Sequence, residues 1–163
     1  MDEPSIIVNG WTLIADPCFI DQVEKLRAKV QGLQQKYPEL WVKKDSAKRL
    51  AALTKLFLTD IPQDPTREIY RQGNTLGPTH KHWFRAKFYQ QYRLFFRYSL
   101  EQKVIVFGWV NDPDTKRAYD SKTDAYRVFR KMLEEGHPPD NWNDLIKGAR
   151  AEKNRLRKIT DEL

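Results

Sequence analysis

The chain has 163 residues, a formal net charge of +7 and 31% charged side chains, which suits one compact domain with a real core. No apolar run approaches the ~20 residues that a membrane-spanning helix needs, and a single cysteine, Cys18, excludes an internal disulfide. Cysteine usage and the absence of a cationic-then-apolar leader at Met1-Asp2-Glu3-Pro4-Ser5 set the expectation of a reducing, cytoplasmic location.

Residues 6–14 read as one or two short apolar strands with a turn at Asn9-Gly10. Asp16-Pro17 has the form of an N-cap followed by the first helical residue. Val23, Leu26, Val30 and Leu33 then recur at three- and four-residue steps, predicting a helix from about Pro17 to Tyr37. Cys18, near the start of that helix, reads as a packing residue. A second helix is expected from Asp45-Ser46, with Leu50, Leu53, Thr54, Phe57 and Leu58 as its buried stripe and its end before Pro62. Residues 62–79 are rich in proline and glycine and read as loop.

Residues 83–89 alternate, with Phe84, Ala86 and Phe88 on one side and Arg85 and Lys87 on the other. Residues 92–98 alternate again, Leu94, Phe96 and Tyr98 opposing Arg93, Phe95 and Arg97. The nearly continuous apolar run Lys103–Val110 fits a central strand covered on both faces, and the three strands form an antiparallel meander. Thr123-Asp124 caps a third helix with Val128, Phe129, Met132 and Leu133 inside. A fourth, short helix is expected from Asp140 to about Ile146. Residues 1–146 thus form one domain, and 147–163 a charged tail, helical or frayed. The predicted fold class is α+β, a small antiparallel sheet with helices mainly on one face.

The most informative stretch lies between Glu68 and Glu101, which holds no acidic residue. Arg71, Lys81, Arg85, Lys87, Arg93 and Arg97 sit there beside His80 and His82, interleaved with Trp83, Phe84, Phe88, Tyr89, Tyr92, Phe95, Phe96 and Tyr98. Cations threaded among aromatic rings suit a phosphate backbone with stackable bases, and RNA is the expected ligand. The pattern alone equally describes the solvated face of an ordinary sheet. Trp83 and Tyr89 are the candidate stacking rings, whereas Trp109 and Trp142 read as packing residues. Phe95, on the arginine side, is either a stacking platform or a buried ring beside a bulge.

Several segments in order, Asn9-Gly10-Trp11, Tyr92-Arg93-Leu94-Phe95-Phe96-Arg97-Tyr98, Gly108-Trp109, Asn111-Asp112, Thr123-Asp124-Ala125-Tyr126 and Gly136-His137-Pro138-Pro139-Asp140-Asn141-Trp142, together resemble the YhaV family of toxins over roughly residues 8 to 146. The resemblance implies a RelE-like fold and a bacterial mRNA-cleaving endoribonuclease that inhibits translation, with the ribosome as a further candidate partner. It also implies a PrlF-type antitoxin as partner, with operator DNA contacted only through that complex. Carried over residue by residue, it implies Arg85, Lys87, Arg93 and Tyr119 as catalytic. The basic residue that relatives carry after the last strand falls on Lys116 or Arg117, or is missing. RNA contacts are expected from Lys81, His82, Tyr89, Arg97, Lys116 and Arg117.

Metal-free cleavage uses the RNA 2′-hydroxyl as nucleophile, so the protein must orient it, move two protons and stabilise a dianionic phosphorane. Arg85 and Arg93 offer planar forks to phosphate oxygens, and Lys87 and Tyr119 are the proton-transfer candidates. His80 and His82 offer a second route, since histidine is the usual acid–base side chain; His137 is a weaker candidate. No metal or cofactor is expected, because the histidines, Cys18 and the carboxylates show no ligand spacing. Asp112, Asp114, Asp120 and Asp124 read as a solvated loop with helix caps. Two other classes stay open: a gyrase-inhibiting ParE-like toxin, and a non-catalytic nucleic-acid-binding regulator.

Overall fold

A computed structural model describes residues 4–119 and 121–163. The expectations resting on Met1–Glu3 and on Asp120 lie outside the described residues. Five strands, β1 (Ile6–Val8), β2 (Trp11–Ala15), β3 (Phe84–Phe88), β4 (Tyr92–Ser99) and β5 (Val104–Val110), form one sheet in the order β1-β2-β5-β4-β3. The β3-β4-β5 meander is antiparallel as predicted. The N-terminal hairpin turns through Asn9 and Gly10, with φ of 51° and 82°, the left-handed pair that a two-residue hairpin turn requires. Its second strand joins β5 in parallel, Thr12 facing Val104 and Ala15 facing Phe107. That pairing spans most of the chain and has no local sequence signal.

Helix α1 (Pro17–Lys36) starts where predicted, with the Asp16 carboxylate accepting from the Cys18 amide at 2.9 Å. Helix α2 (Asp45–Lys55) does not stop before Pro62. It widens into a π-helical turn over Leu56–Asp60 and ends in a single turn, α3 (Ile61–Gln63), which contains Pro62. Proline lacks an N–H, and its ring would strike the carbonyl four residues back; the wider turn removes that conflict. Leu50, Leu53 and Phe57 are buried as expected, and Thr54 and Leu58 half-buried.

The expectation of helices mainly on one face needs correction: helices cover both faces. On one side α1 and α2 bury Phe19, Leu53 and Phe57 against Leu94, Phe96 and Phe107. On the other, α4 (Ala125–Glu134) and α5 (Trp142–Ala151) bury Phe129, Leu133 and Leu145 against Phe95, Val106 and Trp109. The two-sided apolar pattern of β5 already called for cover on both faces. The fourth helix runs past Ile146 to Ala151. The tail continues as α6 (Lys153–Asp161), burying Leu156 and Ile159 in the first core, with Arg155 paired to Asp21 and Glu24.

Two local features aim the sheet. Strand β5 starts at Val104, one residue later than expected, because Lys103 adopts φ 55° in the preceding turn. At Gly108 the β4–β5 register slips: Phe95 faces Trp109 while Phe96 faces Phe107. This bulge sends Phe107 and Val110 to the first core and Trp109 to the second. A Cβ at Gly108 would lie 2.5 Å from Trp83 Cζ3, so only glycine fits. No helix among the described residues is long and apolar enough to cross a membrane.

Candidate active site

Alternation along β3 and β4 puts Arg85 and Arg93 on the same side of the sheet, with Lys87 directly opposite Arg93. Both arginines are buried, at 9% and 6% exposure. Their Nε atoms each donate to the Tyr126 hydroxyl at 3.0 Å. Arg85 Nη1 donates to the Ile69 carbonyl at 2.7 Å, and Arg93 Nη1 to the carbonyls of Gln90 and Tyr92 at 2.7 and 2.9 Å. Among the described residues neither guanidinium forms an ion pair, and the Nη2 atoms make no hydrogen bond although none is sealed from solvent without a partner. Two buried cations compensated only by a phenol and carbonyls are electrostatically incomplete, a state that an anion would relieve.

Tyr126 is the member of this cluster that strand reading missed. It sits in the first turn of α4, which Asp124 fixes. The Asp124 carboxylate accepts from the Tyr126 amide at 3.1 Å, and from Ala118 N and Arg117 Nη1, both at 2.7 Å. Burial works against the Arg117 charge, but Asp124 holds its pKa above the ordinary value. The Arg117 guanidinium lies 4.8 Å from the Tyr126 ring and 3.9 Å from that of Tyr119. Arg117, Tyr119, Tyr126, Arg127 and Arg130 line a cleft of about 260 Å³. Asn111 ties the loop to the sheet: its Oδ1 accepts from Arg93 N at 2.7 Å, and its Nδ2 donates to Gln91 and Thr115 carbonyls at 3.0 and 2.8 Å.

The other predicted residues divide by place. Lys87, opposite Arg93, and Lys116 are exposed, and Tyr119 is 83% exposed against Arg117, with no hydrogen bond to Arg85 or Arg93 among the described residues. Tyr89 is exposed in the β3–β4 turn, its hydroxyl donating to the Lys48 carbonyl at 3.3 Å. Lys81, His82 and Arg97 lie toward the opposite end of this face. Arg97 donates to the Asp140 carbonyl at 2.7 Å between the rings of Trp83 and Trp142, and burial lowers its pKa. His80 and His82 turn to Asp140 rather than to the arginine pair. Trp83 is fully buried, stacking at a right angle on Phe129, which overturns its reading as a base-stacking ring. Phe95 resolves as the buried ring beside a bulge, stacked on Phe129 at 4.2 Å. Burial and Asp16 push the Cys18 thiol up to about 12, so it stays a protonated packing group.

These residues gather a cationic cluster on a small mixed sheet, of the side-chain types that bind phosphate. A family model described as a toxin with endonuclease activity, of a toxin-antitoxin system, matches residues 13–150. The chain belongs to this family, the YhaV toxins. It is 47% identical over 140 residues to Toxin YhaV of Escherichia coli O6:H1, covering 85% of this chain and 91% of the relative. It is 46% identical over 142 residues to Ribonuclease toxin YhaV of Escherichia coli K12, covering 86% and 92%. No solved structure matches.

Proposed function

We propose that this chain is an mRNA-cleaving toxin whose centre is the Arg85–Arg93 pair held by Tyr126. The observation that carries this reading is the pair of adjacent buried guanidiniums without a carboxylate partner among the described residues. The free edges of both forks suit the non-bridging oxygens of a phosphorane. A ribonuclease function agrees with the printed name of the Escherichia coli K12 relative.

The reaction is attack of the 2′-hydroxyl on the adjacent phosphorus, with departure of the 5′-oxygen and formation of a 2′,3′-cyclic phosphate. Lys87 and Tyr119 flank the pair and carry the two proton transfers between them, each worth about 10²–10⁴ in rate. Tyr126 accepts two guanidinium hydrogen bonds and acts as a positioning residue. Among the described residues Asp124 is the carboxylate beside the pair, and it is engaged by Arg117 and two amides, which favours metal-independent chemistry. Arg117, Lys116 and Tyr89 extend the RNA path around the cleft. The partner is a PrlF-type antitoxin, operator DNA is met only in that complex, and the protein acts in the cytoplasm on a RelE-like fold.

The test is incubation of purified protein with single-stranded RNA in EDTA, without and with translating ribosomes, beside folded Arg85→Gln and Lys87→Ala variants. Cleavage giving cyclic phosphate ends, lost in both variants, is the expected result. Intact RNA in both conditions would refute the proposal.

A further inference from the structure

Away from the arginine pair, two histidines two residues apart meet an aspartate 60 and 58 residues further along the chain. His80 Nδ1 and His82 Nε2 lie 3.3 and 2.7 Å from the same oxygen, Asp140 Oδ1, and all three donor atoms fall within 4.8 Å of one another. We propose that His80, His82 and Asp140 form a binding site for a zinc-class divalent ion, which clamps the loop before β3 to the start of α5.

The ligand chemistry favours this class. Two imidazoles and one carboxylate suit zinc and its neighbours, whereas magnesium and calcium take oxygen ligands. A tetrahedral ion with bonds of about 2.0–2.2 Å holds its ligand atoms roughly 3.3 Å apart. The His80–Asp140 distance already matches that spacing, the shorter His82–Asp140 hydrogen bond would lengthen, and all three atoms lie within 4.8 Å, so side-chain rotations would admit the ion. His80 is nearly buried, while the side chains of His82 and Asp140 are 37% and 34% exposed. One side is therefore open to water as a fourth ligand, the arrangement of a three-residue zinc site.

The surroundings fix the ligands. The Trp83 indole N–H donates to Asp140 Oδ1 at 2.8 Å, and its ring is locked over Gly108. Gln72 Nε2 donates to the His80 carbonyl at 3.0 Å, and Arg97 to the Asp140 carbonyl at 2.7 Å. Metal sites depend on such partners around the ligating atoms. Arg97 stands beside the cluster, its guanidinium donating to that carbonyl between the two indoles and feeling the Asp140 charge. Trp83, Phe129 and Phe95 pack in succession between the cluster and Tyr126, so this site is distinct from the arginine pair.

The experiment uses full-length protein purified without a histidine tag, stripped with chelator and titrated with zinc against a chromophoric indicator. One equivalent is expected to bind. Trp83→Phe is expected to weaken binding about 10–100-fold, and His82→Asn and Asp140→Asn by more. His137→Asn, in an exposed turn, should bind as the parent does. Zinc should also raise the melting temperature of the parent but not of His82→Asn, a partly exposed position whose replacement leaves the core intact. Failure of the parent to take up one equivalent, or equal binding in His82→Asn, would overturn the proposal. RNA cleavage in EDTA is a separate readout, so failure here leaves the Arg85–Arg93 reading standing.

Discussion

Tyr126→Phe removes one oxygen atom and leaves the ring, which packs edge-on against Phe95 at 5.5 Å. The deletion strips an acceptor from Arg85 Nε and Arg93 Nε at once. Both guanidiniums are buried and keep only the carbonyls on Nη1. A buried donor left unsatisfied costs about 1–3 kcal/mol, more when charged. Two of them, partly relieved by water entering the cleft, give an expected loss of about 2–4 kcal/mol, measured by urea unfolding under circular dichroism. Both forks also lose their pivot, and a displacement near 1 Å costs about 10² in rate, as does loss of an oxyanion donor. Cleavage should therefore fall about 10²–10³-fold under single-turnover conditions where the variant remains folded. Tyr119→Phe, at an exposed ring, should leave stability unchanged and separates a proton-transfer role from a positioning one. Parental stability together with parental cleavage in Tyr126→Phe would refute the reasoning.

Asp124→Asn keeps a side chain able to cap α4 but leaves Arg117 without its counter-charge; the expected loss is about 3 kcal/mol in the same unfolding assay. For Asp16, burial raises the carboxyl pKa above 3.8 despite the hydrogen bonds at the Cys18 cap. A raised folded-state value means its contribution is fully present below 3.8 and is lost as pH rises through the folded value. The stability of Asp16→Asn relative to the parent should thus be highest at neutral pH and shrink as pH falls through the carboxylate range. Leu156→Ala should cost about 2–4 kcal/mol because it empties a core position. Arg155→Ala should cost under about 1 kcal/mol because its ion pairs are open to solvent. Inorganic phosphate at 100 times its dissociation constant should stabilise the parent by about 2.7 kcal/mol over chloride of equal ionic strength. Arg85→Gln should lose that difference, which separates the site from general salt exclusion.

The elements with local causes were legible in the sequence. Asp16-Pro17 set the start of α1, and Val23, Leu26 and Val30 face the core as their spacing required. The alternation in β3 and β4 placed Arg85 and Arg93 on one face without any tertiary information. What was lost depended on long-range packing. Pro62 reads as a terminator, but the backbone absorbs it by widening the turn before it. The tail looked too polar to hold itself, yet Leu156 and Ile159 at three-residue spacing suffice to seat α6 against the core.

The site was half legible for the same reason. Strand register reveals which side chains share a face; it cannot reveal what a later helix lays over them. Tyr119 carries the tyrosine role that the resemblance implies, and the loop sets its exposed ring against Arg117. Tyr126 was visible only in the family segment Thr123-Asp124-Ala125-Tyr126, whose first two residues read as a cap. The cap is what places the tyrosine: Asp124 fixes the first turn of α4, and that turn delivers the hydroxyl between two arginines 41 and 33 residues earlier. The histidines repeat the lesson. His80 and His82 looked like loop residues near the basic strand, and their partner Asp140 stands 60 and 58 residues away. A cap residue beside a tyrosine, or an aspartate opening a helix, becomes legible as a site component only when the face it will cover is already known to carry charge without a partner.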